Sequence, residues 1–359
     1  MERSLQLSVL DQSPVREGGT ATVALQETIA LAAATEAMGY QRFWVAEHHN
    51  LANFAGTSPE VLIGQIAART RTMRVGSGGV MLTHYSALKV AENFRLLEAL
   101  YPGRIDLGIG RAPGSDPLTA AALAYPGMAR DVRHFPQQVV DLLAYLGETL
   151  DRSHPFAGVH AGPGTPLSVP EVWLLGSRIE SAHLAAKLGL PFSYAHFFGL
   201  GVDDGPAIVE SYRRHFRPSA SLAQPRVNVA VHVLCAETED AALRLAMSRN
   251  LMKLRSALGV RSGVPPVEEA LAYRYRPEEL AYLDQVRSSY IDGNPQQVRD
   301  KLEAIADVYQ TSDITVVTIC HGFAERVRSY ELVAEVCELK GEKVTKWGSD
   351  PGRPRAVRR

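Results

Sequence analysis

YPGRIDLGIGRAPGSD, residues 101–116, contains one complete change of backbone state. Pro102 and Gly103 stop a helix: proline cannot continue the hydrogen-bond ladder, and glycine accepts the turn. Arg104–Gly110 then reads as a short strand, and a connection containing Gly and Pro follows it. The same unit recurs outward in both directions. Upstream, strands are expected at Leu5–Leu10, Arg42–Ala46 and Met73–Gly78. They alternate with helices at Thr22–Met38, from the Ser58-Pro59 cap to about Thr70, and at Ser86–Leu100. Downstream, a helix near Pro136–Tyr145 precedes a Gly-, Pro- and His-rich excursion over Asp151–Pro170. Strands then follow at Val172–Leu175, Pro191–His196, Val227–Leu234 and Ile314–Cys320. Helices are expected at Ile179–Leu188, Asp204–Phe216, Thr238–Leu258, Asn294–Ala306 and Phe323–Leu339.

Eight strands, each followed by helix, is the count of a closed (β/α)8 TIM barrel of the α/β class. The competitor is an open, doubly wound sheet. Its nucleotide fingerprint would have to be Gly108-Ile109-Gly110-Arg111-Ala112-Pro113-Gly114. That segment is GxGxxxG rather than GxGxxG, and Pro113 interrupts it, so the barrel is preferred. The expected organisation is a single domain over residues 1–342, with an insertion of polar and aromatic residues near 259–288. The 343–359 segment reads as a flexible basic tail.

Composition narrows the function. The 359 residues are 46% apolar and 21% charged, ordinary for a globular protein. Thirty-eight basic residues face 39 acidic ones, so no broad electrostatic footprint for nucleic acid exists. No run approaches the roughly 18 apolar residues that span a bilayer, and the segment MERSLQLSVLDQ is too short for a signal core. Cys235, Cys320 and Cys337 lie far apart with no CxxC spacing. We expect reduced thiols in a cytoplasmic protein, with no metal site.

In a TIM barrel the chemistry gathers at the C-terminal ends of the strands. Five of the 11 histidines fall there: His48, His49, His84, His196 and His321. Adjacent His48 and His49 point in opposite directions on an extended chain. One inward acid/base and one buried or solvent-facing ring is therefore preferred to a metal site. Gly176-Ser177-Arg178 opens a helix whose free N–H groups suit an anion, with Ser181 one turn on and Arg111 approaching from strand four. A plain helix cap at Ser177 and a surface ion pair at Arg111 explain the same residues equally well. Ser177 and Ser115 lack a GxSxG elbow, which disfavours a hydrolase.

The ordered blocks FWVAEHH (43–49), RVGSGGVML (74–82), YPGRIDLGIGRAPGSD (101–116), LLGS (174–177) and LGLP (188–191) resemble the bacterial luciferase-like flavin-dependent monooxygenases over about Leu5 to Leu339. The resemblance implies a TIM barrel that takes FMNH2 from a separate flavin reductase. With O2 it oxidises a small apolar molecule through a flavin C4a-peroxide. The substrate class is an aldehyde, or an aromatic or polyketide compound in antibiotic biosynthesis. It also implies a homodimer. His48 matches the family's active-site histidine and Arg111 its flavin-phosphate arginine. Ser177, Arg178 and Ser181 fall on its phosphate turn. Gly78, Gly79 and Gly110 fall on the flavin-binding strand tops, with a non-proline cis peptide expected at Gly78-Gly79. His84, His196 and Phe197 are expected in the substrate pocket, and Phe54, Tyr85 and Phe198 nearby favour an apolar substrate. The loop over 111–117 and the 259–288 insertion are candidate lids. Three positions depart from the pattern: Arg178 stands for serine, Thr83 for proline, and Ala87 falls where a Ser-Pro pair is common. The alternatives are a deazaflavin-dependent hydride-transfer oxidoreductase and a non-catalytic flavin-binding barrel.

Overall fold

The computed structural model describes residues 4–112, 116–162, 168–198 and 204–341. The expected basic tail at 343–359 lies outside the described residues, as do Pro113, Gly114 and Ser115 of the candidate lid.

Strands β1 (Gln6–Asp11), β2 (Arg42–Val45), β3 (Arg74–Met81), β4 (Ile105–Gly110), β5 (Glu171–Gly176), β6 (Phe192–Ala195), β7 (Val227–Cys235) and β9 (Asp313–Val317) form the barrel. All neighbours pair in parallel, in the order β6-β5-β4-β3-β2-β1-β9-β7, and β6 pairs with β7 to close the ring. Registers such as Val9↔Phe43, Leu7↔Ile314 and Tyr194↔Val229 fix the stagger. The helices between them are α1 (Ala21–Met38), α2 (Pro59–Arg69), α3 (Ala87–Leu100), α4 (Pro117–Ala124), α5 (Phe135–Gly147), α6 (Ile179–Leu188), α7 (Gly205–His215), α8 (Glu239–Ala257), α11 (Pro295–Tyr309) and α12 (Phe323–Val336). This is the (β/α)8 TIM barrel the alternation implied.

Local chemistry sets the boundaries. Thr20 accepts from the Val23 amide to start α1, and Gly39 ends it at φ 96°. Asn294 and Gln297 form a reciprocal capping box on α11, at 3.0 and 2.9 Å. Ser58 occupies the N-cap of α2 but makes no side-chain bond there, so Pro59 at the first helical position carries that start.

The structure differs from the sequence reading in three places. A short strand β8 (Ile291–Gly293) pairs only with the end of β7, from Val233 to Cys235. Three residues are too few for periodicity to register. The last barrel strand ends at Val317 rather than Cys320. Helix α4 buries none of its residues, so no apolar face announced it. The 259–288 insertion, read from the sequence as partly helical, contains two helices, α9 (Val267–Ala272) and α10 (Pro277–Arg287), which pack on Leu251 and Leu254 of α8.

Two apolar layers organise the interior. One lies between strands and helices, with Leu7, Phe43, Val75, Leu107 and Val229 all fully buried. The other lies inside the upper barrel, where Leu10, Trp44, Trp173, Phe197, Ala230 and Met252 cluster.

Candidate active site

The upper cluster is the floor of an open-mouthed cavity of about 900 Å3, mouth included, at the C-terminal ends of the strands. Parallel strands send alternate residues toward the axis. In β6 this brings Ser193 and Ala195 to the cavity wall, and the turn that follows adds Phe197 and Phe198. Leu10, Leu175, Ala230 and Thr315 reach it from β1, β5, β7 and β9. The Ser193 and Thr315 hydroxyls donate downward to Asn228 Oδ1 at 2.8 and 3.0 Å, leaving a mostly apolar chamber above.

One wall is glycine for steric reasons. A Cβ at Gly78 would lie 2.5 Å from Leu10 Cδ1 and 3.1 Å from Trp44 Cβ. A Cβ at Gly79 would lie 2.7 Å from the Gly108 carbonyl oxygen. The Gly78-Gly79 peptide is cis, and the β3–β4 register shifts there. A Cβ at Gly110 would touch nothing within 4 Å, so the missing side chain leaves open space at the mouth.

The adjoining rim is rich in donors. Arg111 extends from the end of β4, and α6 opens behind Gly176, Ser177 and Arg178. Arg178 holds the N-cap position and makes no capping bond, because a guanidinium has no acceptor. The amides of the first turn of α6 thus have no side-chain cap. Ser181 folds back onto Gly176, where a Cβ would sit 2.6 Å from Ser181 Cβ. Arg111 meets Glu180 at 3.6 Å, a loose and partly exposed pair. Guanidinium, hydroxyls and helix amides facing one space fit a phosphate. The glycine wall beside them fits a flat ring, so the residues present suit a flavin nucleotide.

The paired histidines divide as expected from backbone alternation. His49 is buried, with Nε2 2.7 Å from Glu47 Oε1. Glu47 also accepts from the Tyr85 hydroxyl at 2.7 Å and the Met81 amide at 3.0 Å. His48 is half-buried and stacks on Phe54, with ring centroids 4.6 Å apart. Its Nδ1 is buried with no hydrogen-bond partner. Burial pushes the His48 imidazole down to about 4, helped by the nearby His49 and Lys253, so it is neutral at pH 7.

All of Gly78, Gly79, Gly110, Arg111, Ser177, Arg178, Ser181 and Phe197 therefore converge on one cavity. His48, His84 and His196 are not among its lining residues. His196 is buried on the other side of β6, with Nδ1 2.9 Å from the Tyr309 hydroxyl of α11. Strand alternation ends at Ala195, and the tight turn over His196–Phe198 carries Phe197 and Phe198 to the cavity and His196 away from it. His84 sits on a short turn after β3, edge-on to His49 at 5.8 Å. Sequence reasoning did not single out the inward Leu10, Trp44, Leu175, Ala230 and Thr315. Continuous apolar strands give no sign of which residues face the axis. No group of three potential metal ligands occurs among the described residues.

A barrel with a flavin-shaped cavity at its upper rim defines a class of enzyme, and comparison with known proteins gives the family. The sequence profile of the luciferase-like monooxygenases matches residues 5–312. The chain is 48% identical to the Bacillus subtilis protein YwcH over 332 residues, covering 92% of this chain and 98% of that one. It is 37% identical to the N-acetyl-S-alkylcysteine monooxygenase of B. subtilis, covering 92% and 98%. Among solved structures, apo-MsnO8 superposes with a TM-score of 0.85 at 40% identity, over 94% of this chain and 99% of that one. The chain belongs to the luciferase-like monooxygenase family and is an enzyme of that class.

Proposed function

We propose that this enzyme binds reduced FMN supplied by a separate flavin reductase and uses O2 to oxidise a small molecule with an apolar arm. The observation that carries the reading is the cavity itself: a donor-rich rim on one side, a glycine wall beside it, and an apolar chamber below. When bound, FMNH2 and O2 together supply one oxygen atom to the substrate and release the other as water, leaving FMN.

The chain's own residues have separable tasks. Arg111, Ser177, Ser181 and the first amides of α6 hold the phosphate at the mouth. Gly78 and Gly79 let the β3 backbone pack closely on Leu10, Trp44 and Gly108, which keeps that wall free of side chains, and Gly110 leaves open space for the ring at the mouth. The apolar chamber keeps water from the reacting atoms. His48 lies outside the cavity lining, so a proton it exchanges with the substrate–cofactor pair has to pass through an intervening water or a side-chain movement; its neutral imidazole with an unpartnered Nδ1 can accept one. Glu47 fixes His49 and Tyr85 and so holds the neighbouring backbone in place. The B. subtilis relative's name gives an S-alkylated, N-acetylated cysteine as its substrate, which supports a thioether or similarly apolar arm for this chain's substrate.

Titration of the apoprotein with FMN, FMNH2 and a deazaflavin tests the cofactor. Tighter binding of FMNH2 than of deazaflavin, with substrate-stimulated O2 uptake, is expected. Preference for the deazaflavin, or flavin binding with no accelerated oxidation, overturns the reading.

A further inference from the structure

Phe198 lines the cavity just past the end of β6 and leaves 47% of its surface uncovered. It continues an apolar strip made by Leu175 of β5, Ala195 of β6 and Phe197. An exposed ring in the wall of a ligand cavity, contiguous with other apolar residues, marks a surface that a ligand covers. The space behind this ring is filled by a column of packed groups. Phe197 lies against Phe198 with centroids 4.6 Å apart. His232 of β7 meets Phe197 edge-on at 5.7 Å, and Tyr290 meets His232 at 4.7 Å. Arg249 of α8 lies over the Tyr290 ring with its Cζ 4.2 Å from the centroid, and Asp292 of β8 fixes the guanidinium through contacts of 2.9 and 2.6 Å. His232 Nδ1 is 3.2 Å from the Val317 carbonyl oxygen, which only accepts, so the imidazole N–H donates there and the ring is held. The Tyr290 hydroxyl is buried without a partner, so its ring is what it contributes to the column.

The place of this strip in the ring separates it from the residues assigned to the cofactor. The barrel order runs β3, β4, β5, β6, and β6 stands opposite β2, four strands away in either direction. The glycine wall belongs to β3, with Trp44 of β2 beside it. Arg111 and the start of α6 follow β4 and β5, between that wall and the aromatic strip. A flavin with its phosphate on the β4–β5 rim and its ring along the glycine wall leaves the β6 side of the cavity to a second molecule.

We propose that Phe198 is a specificity-determining residue, whose exposed ring receives a flat, aromatic arm of the substrate on the side of the cavity away from the glycine wall. The inference rests on the functional reading above and narrows its apolar arm to a planar one. A flat arm gains ring-to-ring contact with Phe198 in addition to the apolar area it buries, whereas a saturated arm of similar size gains the area alone. The column behind Phe198 holds its ring before the substrate arrives, so little side-chain freedom is lost on binding.

The test uses the full chain loaded with FMN and two probes of similar size, N-acetyl-S-benzylcysteine and N-acetyl-S-(cyclohexylmethyl)cysteine. Affinities are read by calorimetry, and KM by O2 uptake with FMNH2. The wild type is expected to bind the benzyl probe roughly fivefold tighter than the saturated one. Phe198→Leu, which keeps an apolar side chain and removes the ring, is expected to erase that preference by raising Kd and KM for the benzyl probe. Phe198→Trp is expected to retain it. FMN affinity stays unchanged in both variants. Equal binding of the two probes by the wild type, binding of neither while FMN binds, or a preference that survives in Phe198→Leu overturns the inference and leaves the flavin reading standing. A loss of FMN affinity in Phe198→Leu overturns it too, since the ring would then cover the cofactor. Failure of the wild type to bind FMN overturns the flavin reading first, and the inference with it.

Discussion

At the N-terminal end of the barrel every inward charge has a partner. Asp106 receives Arg74 Nε at 2.8 Å and the Trp44 indole at 2.9 Å, and lies 3.4 Å from Arg42 Nε. Asp313 takes Arg42 at 3.3 Å and the Asn228 amide at 2.7 Å. Glu171 pairs with Arg226, and both Arg42 and Arg226 lie over Trp173. At the C-terminal end His48 Nδ1 is orphaned, and the amides that open α6 lack a side-chain cap. The same strands supply both ends. The lower set closes the barrel, and the upper set is left to be completed by ligands. That contrast is testable, because a substitution below should cost folding and spare binding, and one above the reverse.

The largest effect is expected at the lower end. Asp106→Ala leaves two guanidiniums and an indole N–H without their shared acceptor in the interior. Breaking a buried charge cluster in this way costs about 4 kcal/mol. Urea denaturation reads this as a lower midpoint, while the FMN affinity of the remaining folded protein is unchanged. A loss below about 1 kcal/mol would mean that the lower network contributes little to stability.

The pH dependence of stability reads the upper end. His48 has an ordinary value of 6.5 in the unfolded chain and about 4 in the folded one. Between these values the unfolded state binds more protons, so stability rises with pH. The contribution is fully present above pH 6.5 and is lost as pH falls to about 4, a difference of about 3 kcal/mol. His232, also held neutral by burial, adds a slope of the same sign. The wild type should therefore lose more stability than His48→Gln across that window in matched denaturation curves. Parallel curves for the two proteins would place His48 in solvent.

Arg111→Ala should sharpen the contrast from the opposite side. Its pair with Glu180 is long and exposed, so folding stability should move by less than about 0.5 kcal/mol. A lost charge-assisted phosphate contact should weaken FMN binding by roughly 10–100-fold. Fluorescence titration of FMN measures it. An unchanged affinity would move the phosphate away from the β4–β5 rim.

Which of these residues the sequence reveals depends on the kind of signal each leaves. Arg111, Ser177 and Ser181 were legible because they follow strands and a helix start, where one-dimensional punctuation marks the rim. His196 satisfied the same rule yet turns outward, since position after a strand says nothing about parity. Asp106, Arg42 and Asp313 sit at strand starts and read as ordinary charged residues; only the closed ring makes them neighbours. Lys253 is similar. On a long amphipathic helix a lysine reads as solvated. In the fold it is half-buried, and its charge acts on His48 and His232, which belong to other elements. Local patterns therefore gave the barrel and its rim, and left out the charge balance across its axis.

The smallest effect is expected where the chain departs from its family's pattern. Arg178 is the N-cap of α6, exposed and unable to accept a hydrogen bond. Serine there would accept from an amide in the first turn, which stabilises a helix by about 1 kcal/mol. Arg178→Ser should therefore raise the melting temperature by about 1–2 °C in a chain of this size. The same serine would occupy an amide that the bare helix start offers to a phosphate, and it removes a cation from the rim. FMN binding should weaken a few-fold, less than in Arg111→Ala, because an exposed guanidinium is screened by solvent. A variant that is both more stable and slightly poorer at binding FMN would show that the uncapped helix start is kept for the ligand. Tighter FMN binding in Arg178→Ser would instead show that the arginine crowds the phosphate.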